Sequence, residues 1–314
     1  MTRSARLRAY AKLNLGLRVL YKRDDGYHEI RTVFQTVSLA DTLDISFTSA
    51  RKTTVTIDGT PEIADNLVEK ASLEILEALS LHGDVRFNLR KRIPSGAGLG
   101  GGSSDAAAVL LALPVLAGKQ IAEENLVRIA SRLGSDVPFF LYGGAALGLG
   151  RGEELYPLPD EPPCHGLIVA PEVHSSTAEA YRRLSATLTT NSLQNKLSSF
   201  QRDIWQTDRG HGVNDFQNVV FSQHPQLERI VNRLRKLGAE QAAMTGSGSA
   251  LFGLFANPAA REKALKALAN ERVFPISFLS RASYRSRWRR ALSPHIKKTL
   301  LNQNQWPPQS LYAR

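Results

Sequence analysis

The stretch PSGAGLGGGSSDAAA, Pro94 to Ala108, places five glycines between Gly96 and Gly102 and two hydroxyls directly ahead of an alanine-rich run. Glycine packs nothing and loses more backbone freedom on ordering than any other residue. Such a run implies that main-chain groups, rather than side chains, do the chemistry. Successive glycines let N–H groups converge, and a helix starting behind them adds its unpaired N-terminal donors. That combination cradles an oxyanion, most naturally a phosphate chain, with the Ser103 and Ser104 hydroxyls at the helix start. A close-packed flexible turn is the plainer reading, but it leaves the two serines and the following helix unexplained. Gly96, Gly98 and Gly101 also fit G-x-G-x-x-G. Against a dinucleotide fold, the preceding strand alternates arginine with apolar residues, and the later acids Glu123 and Glu124 open a helix. No lysine follows Gly102-Ser103, which excludes a P-loop.

The elements that must hold this loop read as follows. RLRAYAKLNLGLRVL alternates at period two, as a half-buried strand does, and GYHEIRTVFQTVSLADTLDISF reads as strand with a break at Ala40-Asp41-Thr42. KTTVTIDG is a further short strand. Leu67, Val68, Ala71, Ile75, Leu76 and Leu79 form a helical stripe. DVRFNLRKRI returns to alternation. The helix after the glycine loop is expected from about Ser103, ended or kinked near Leu113 by Pro114. AEENLVRIASRLG is a helix closed by Gly134, and SDVPFFLYGGAALGLG a loop entering a short strand. YPLPDEPPCHG, with four prolines, is the best domain boundary. Beyond it come a strand (167–170), a helix around 178–184, a polar stretch from Ser185 to Gly212 expected as a mobile loop or irregular helices, then helix, turn, strand and helix up to about residue 271.

With 314 residues, 42% hydrophobic and 22% charged, the chain has the composition of a globular protein of about two domains. No apolar run reaches the ~18 residues of a membrane span, and no signal-peptide pattern opens the chain. A cytoplasmic location and no membrane partner are therefore expected. The single Cys164 excludes an internal disulfide framework, and the seven histidines show no metal-ligand spacing. Eight cations and no acids lie between Arg281 and Arg314, so the formal charge of +11 falls to +3 for residues 1–280. That segment is a solvated tail or helix, or else a contact for RNA or acidic lipid.

Four segments, in order, resemble the GHMP kinases, which phosphorylate galactose, homoserine, mevalonate and related alcohols. They are AYAKLNLGLRVLYKRDDGYHEIRTVFQ, PSGAGLGGGSSDAAA, LGSDVPFFLYGGAAL and MTGSGSALFGLF, spread over about residues 9–256. The resemblance implies an α+β two-domain GHMP kinase fold. Residues 1–160 would form a unit similar to ribosomal protein S5 domain 2, with the ATP loop and catalytic residues. Residues 161–285 would form a ferredoxin-like C-terminal domain, and 286–314 a basic tail that turnover does not need.

The resemblance also assigns residues. Pro94, Ser95, Gly96, Ala97, Gly98, Leu99, Gly100, Gly101, Gly102, Ser103 and Ser104 would bind ATP phosphates, with Asn66 near the adenine, although Asn66 reads equally well as a helix N-cap. Asp136 and Lys12 would be the catalytic pair, Asp136 taking or orienting the acceptor proton and Lys12 keeping it ionised. Alone, Asp136 would read as an N-cap or turn residue and Lys12 as a solvated strand residue. Whether Asp136 is a base or an electrostatic anchor stays open at this level.

Tyr27, His28 and Tyr181 would hold a cytosine by stacking and edge recognition. Asn14, Thr245 and Gly246 would approach the acceptor end. The small-molecule acceptor implied is cytidyl-diphosphate methylerythritol, phosphorylated with ATP and Mg2+ by a monomer or homodimer. The alternatives are a GHMP kinase for another small alcohol, or an RNA-binding module using the basic tail.

Overall fold

A computed structural model of the chain describes residues 1–59, 65–173, 175–186, 190–205, 213–296 and 306–308. Strands β1 (Arg3–Lys22) and β2 (His28–Ser49) form one long antiparallel hairpin. Its register shifts at Tyr10/Lys12, Asn14/Gly16 and Val19/Tyr21, and such irregularities bend a strand and re-aim its side chains. β3 (Thr54–Asp58) pairs in parallel with β4 (Gly83–Arg90), which pairs with the Thr42–Ser49 half of β2. The other half of β2 takes β5 (Ala145–Leu149), and β6 (Glu154–Pro157) pairs with β5.

Helices α1 (Leu67–Ala78), α2 (Gly101–Ala117), α3 (Glu123–Leu133) and α4 (Val137–Tyr142) cover this sheet. α2 is buried from Ser104 to Leu116, which is why its sequence shows no polar stripe. Alternation in β4 translates into Val85, Phe87 and Leu89 inside and Arg86, Asn88 and Arg90 outside.

The second sheet runs β11-β7-β10-β9, all antiparallel: β7 (His165–Val169), β9 (Ala239–Met244), β10 (Leu251–Phe255) and β11 (Val273–Ile276). Between them lie α5 (Thr177–Ser185), α6 (Thr190–Trp205), α7 (Phe216–Gln223), α8 (Pro225–Lys236) and α9 (Pro258–Ala267). The short β8 (Val213–Asn214) joins the first sheet, in parallel with Gly16–Leu17 of β1. An apolar layer joins the units: Leu13, Leu15 and Val37 of the hairpin meet Ile168, Phe252 and Ile276 of the second sheet. β1 accordingly alternates only up to Arg8 and is then buried on both faces to Leu17.

Four expectations change. α2 continues through Pro114 to Ala117, because only one further turn follows and Gly118 closes it in the left-handed region. VPFFLY forms helix α4 rather than loop. β2 does not break at Asp41, whose fully buried carboxylate is bound to Lys91 and to the Ile93 N–H at 2.8 Å. Helix α10 (Arg281–Leu292) returns to the first unit and buries Tyr284, Trp288 and Leu292 there, so the boundary expected at residue 286 falls inside a packed helix. Residues 297–305 and 309–314 of the expected tail, and 187–189 and 206–212 of the expected polar stretch, lie outside the described residues.

Candidate active site

Between Ile93 and the start of α2 the chain alternates two kinds of residue. Ile93, Ala97 and Leu99 are buried in the layer between the sheets. Gly96, Gly98 and Gly100 all have positive φ, 67°, 77° and 69°. The apolar members anchor the ribbon and the glycines let it turn between anchors. Two of these glycines are required by close approach as well. A Cβ on Gly98 would collide with the Thr245 carbonyl oxygen, and one on Gly100 would lie 2.8 Å from the Phe140 ring and 3.2 Å from Cγ of Lys12. Backbone bonds stitch the ribbon to both neighbours: Lys12 N–H to the Leu99 carbonyl (3.1 Å) and Ala250 N–H to the Ala97 carbonyl (3.2 Å).

Pro94, Ala97, Leu99 and Ser104 are buried, so their side chains anchor the ribbon; Ser95, Gly96 and Gly102 are exposed. Gly101 and Ser103 are intermediate. Ser104 Oγ is buried without a hydrogen-bond partner among the described residues. Behind the ribbon, the Lys91 ammonium bridges Asp41 and Asp105, the latter at 2.6 Å, and so ties the ribbon's entrance to the first turn of α2. Burial, partly offset by Lys91 and reinforced by Asp41, pushes the Asp105 carboxyl up to about 7. Asn66 occupies the N-cap of α1, its oxygen accepting from Val68 N–H at 3.0 Å, and Leu67 beside it comes within 3.8 Å of a Cβ placed on Gly102.

Lys12 is only 3% exposed. Its Nζ lies 3.3 Å from Asp136 Oδ2, donates to Asn14 Oδ1 at 2.6 Å and sits 5.3 Å from the Phe34 ring centroid. Asp136 stands at the N-cap position of α4, yet its carboxylate makes no capping bond; it faces Lys12 and is one-third exposed to the cleft, 33%. Asn14 is engaged at both ends of its amide: its oxygen takes Lys12, and its Nδ2 donates to Thr32 Oγ1 at 2.7 Å. Its main-chain N–H reaches Thr245 Oγ1 at 2.9 Å. Asn214 Nδ2 binds the Met244 and Gly246 carbonyls, each at 2.8 Å, which fixes the turn that carries Thr245 and Gly246.

A cleft of about 880 Å3 opens from this pair toward the hairpin tip. Lys12, Asn14, Gly98, Ser103, Asp136 and Gly246 line one end; Tyr27, His28 and Tyr181 line the other. Tyr27 is 52% exposed, with the Arg151 guanidinium 4.5 Å from its ring centroid. The His28 ring stacks on Tyr181 at 4.8 Å and 28°, and Phe216 meets Tyr181 edge-on at 4.7 Å. Burial first, then the Lys22 ammonium, hold the His28 imidazole below its usual 6.5, so it is neutral near pH 7. Burial and the Asp136 charge push the Tyr181 phenol up, so it too is neutral.

Sequence reasoning missed Lys22, Arg151, Ser185 and Phe216, all of which line the cleft. Arg151 reaches it because the β5–β6 turn is tied to β2 through Ile30 N–H and the Gly150 carbonyl, a long-range contact with no local signal. Phe216 lies in the stretch GVNDFQNVV (residues 212–220), where an aromatic two places after Asn214 is the only local cue.

The chain is similar to known proteins over nearly its whole length. Residues 66–144 match the family GHMP kinases N terminal domain, and residues 193–273 match GHMP kinases C terminal. The chain is 55% identical, over 99% of its length and 98% of the relative's, to a 4-diphosphocytidyl-2-C-methyl-D-erythritol kinase of Solibacter usitatus. A protein of that description from Caldicellulosiruptor bescii is 37% identical over 86% of this chain and 94% of its own. Among solved structures, a 4-(cytidine 5'-diphospho)-2C-methyl-D-erythritol kinase superimposes with a TM-score of 0.72 at 36% identity, covering 88% of this chain and 99% of that one. A mevalonate kinase at 15% identity (TM-score 0.66, 89% and 99% covered) shares the fold.

Proposed function

The chain belongs to the GHMP kinase family, among its 4-diphosphocytidyl-2-C-methyl-D-erythritol kinases, and from that premise we infer how its cleft works. The enzyme uses ATP to phosphorylate the 2-hydroxyl of 4-diphosphocytidyl-2-C-methyl-D-erythritol, a step of the non-mevalonate route to isoprenoid precursors. The observation that carries the mechanism is the Lys12–Asp136 pair at 3.3 Å, set between the glycine ribbon and the aromatic end of one cleft.

In this reading the triphosphate lies along Ser95–Ser103, held by main-chain N–H groups and the first turn of α2. Asp136 accepts a hydrogen bond from the acceptor hydroxyl and takes its proton as the phosphoryl group moves. Lys12 keeps that carboxylate ionised and counters charge at the transferring oxygens. Because Asn14 grips Lys12 and Thr245 grips Asn14, the ammonium is pre-positioned and need not reorganise during transfer. Asn14 thereby acts on the acceptor chiefly through Lys12.

Tyr27 and Tyr181 would stack on the cytosine, and His28 would read its polar edge. The adenine would lie beside Asn66. Magnesium supplies charge neutralisation at the phosphates. Ser104, whose buried hydroxyl has no partner among the described residues, is the group here that fits it. Among the described residues no cluster of three or more His, Cys, Asp or Glu could hold a metal, so most of its ligands would come from the phosphates and water.

A panel of acceptors with ATP tests the reading. The cytidyl compound is expected to turn over, and mevalonate, homoserine and galactose are not. Equal use of mevalonate would sink the cytidyl assignment.

A further inference from the structure

At the aromatic end of the cleft, one hydroxyl touches both a histidine and a main-chain carbonyl. His28 Nε2 lies 2.5 Å from Ser185 Oγ. That same hydroxyl lies 2.8 Å from the carbonyl oxygen of Tyr181, one helical turn earlier in α5. A carbonyl can only accept, and serine has a single hydroxyl proton. Both contacts are therefore satisfied together only if Ser185 donates to Tyr181 and accepts from an Nε2–H of His28. The imidazole is neutral, so its remaining nitrogen, Nδ1, then carries a bare lone pair. Nδ1 has no hydrogen-bond partner among the described residues, and the stack on Tyr181 at 4.8 Å fixes the ring plane.

We propose that Ser185 locks His28 in the Nε2–H tautomer, and so makes the acceptor site select a 4-amino pyrimidine over its 4-oxo counterpart. The inference rests on the cytidyl-acceptor reading above. Which nitrogen of a histidine is protonated is set by the hydrogen bond the other ring nitrogen makes or receives. An Nδ1 lone pair accepts from the exocyclic amine of cytosine. Against the O4 carbonyl of uracil it faces a second acceptor, and both groups lose their partners to water. Sites built to bond one substrate N–H or O–H reject the analogue lacking it far more strongly than a pocket that merely fits by shape. Ser185 touches neither base nor phosphate in this account; it is a positioning residue acting through His28. Without its hydroxyl, either ring nitrogen could carry the proton, and the Nδ1–H form would suit uracil.

Two measurements test this on the intact enzyme. The first is long-range 15N–1H correlation of His28 in the free protein. The second is the ratio of kcat/KM for the cytidyl acceptor to that for its uridyl analogue, in wild type, Ser185→Ala and Ser185→Thr. The proposal expects the proton on Nε2 in wild type. It expects mixed tautomers and a specificity ratio lower by about tenfold or more in Ser185→Ala, and recovery of both in Ser185→Thr, which keeps the hydroxyl. Wild-type His28 carrying its proton on Nδ1 would overturn it. So would a Ser185→Ala enzyme with unchanged tautomer and unchanged ratio. A wild-type enzyme that phosphorylates neither nucleotide compound would overturn the kinase reading itself, and this inference with it. Turnover of the cytidyl compound by an Nδ1–H enzyme would remove the Ser185 inference alone.

Discussion

The two ends of the cleft are built from different materials. At the end proposed for phosphoryl transfer the groups are mostly main-chain: the Gly98 and Gly100 turns, the first turn of α2, and a buried Lys12 ammonium held by Asp136, Asn14 and the Phe34 ring. At the end proposed for the acceptor the groups are side chains on separated elements. Tyr27 comes from the hairpin tip, Arg151 from the β5–β6 turn, and Tyr181 and Ser185 from α5. The first end has little room for change, because Gly98 packs there against the Thr245 backbone and Gly100 against the Phe140 ring. The second can vary its recognition by exchanging side chains on a fixed frame. The same fold with a mevalonate kinase at 15% identity is what such a division allows.

Breaking the first end should cost the most. Asp136→Asn is expected to lower kcat by roughly 10^2 to 10^4 while leaving ATP affinity in place, the range for removing a positioned acid–base group. Nucleotide titration alongside steady-state kinetics would check it, and wild-type turnover would refute the assignment. Gly98→Ala comes next. It forces a Cβ onto the Thr245 carbonyl at a positive φ, a strain on the order of 1–3 kcal/mol. The expected readouts are a lower Tm and a higher KM for ATP, with less effect on acceptor KM.

Changes at the acceptor end should be milder and should invert that pattern. Tyr27→Ala removes a half-exposed aromatic face, a loss of about 1 kcal/mol of stacking. Acceptor KM should rise about fivefold with kcat and ATP binding little altered. An equal loss in both KM values would erase the distinction between the ends. The smallest effect expected is on pH dependence. His28 is depressed below 6.5 by burial and by Lys22, so acceptor KM should stay level through neutrality and rise only below pH 6.5, as protonation removes the lone pair. Lys22→Met removes the depressing charge, so the folded-state value rises and the increase in KM begins at a higher pH. A shift toward lower pH would contradict the electrostatic account.

Much of the frame could be read from local pattern, and the reasons are local. α1 shows its stripe because one face alone is buried, and β4 alternates because its outer face is wet. Where burial became two-sided, as in α2 and the middle of β1, the pattern vanished and the boundaries drifted. Asp41 looked like a turn residue because its partners, Lys91 and the Ile93 N–H, lie some fifty residues away. The basic helix α10 looked like a tail because its apolar members, Tyr284, Trp288 and Leu292, are outnumbered by arginines.

By itself the sequence determined that a glycine ribbon precedes a helix, since only glycine tolerates alternating positive φ at close backbone approach. It also determined that an acid, an amine and an aromatic–histidine pair were available. Tertiary structure alone decided which groups meet. Asp136 could have capped α4 but turns to Lys12, Asn14 accepts from that lysine, and Ser185 meets a histidine 157 positions away. Those outcomes depend on how two sheets pack across a shared apolar layer, which is a property of the whole chain and not of any segment in it.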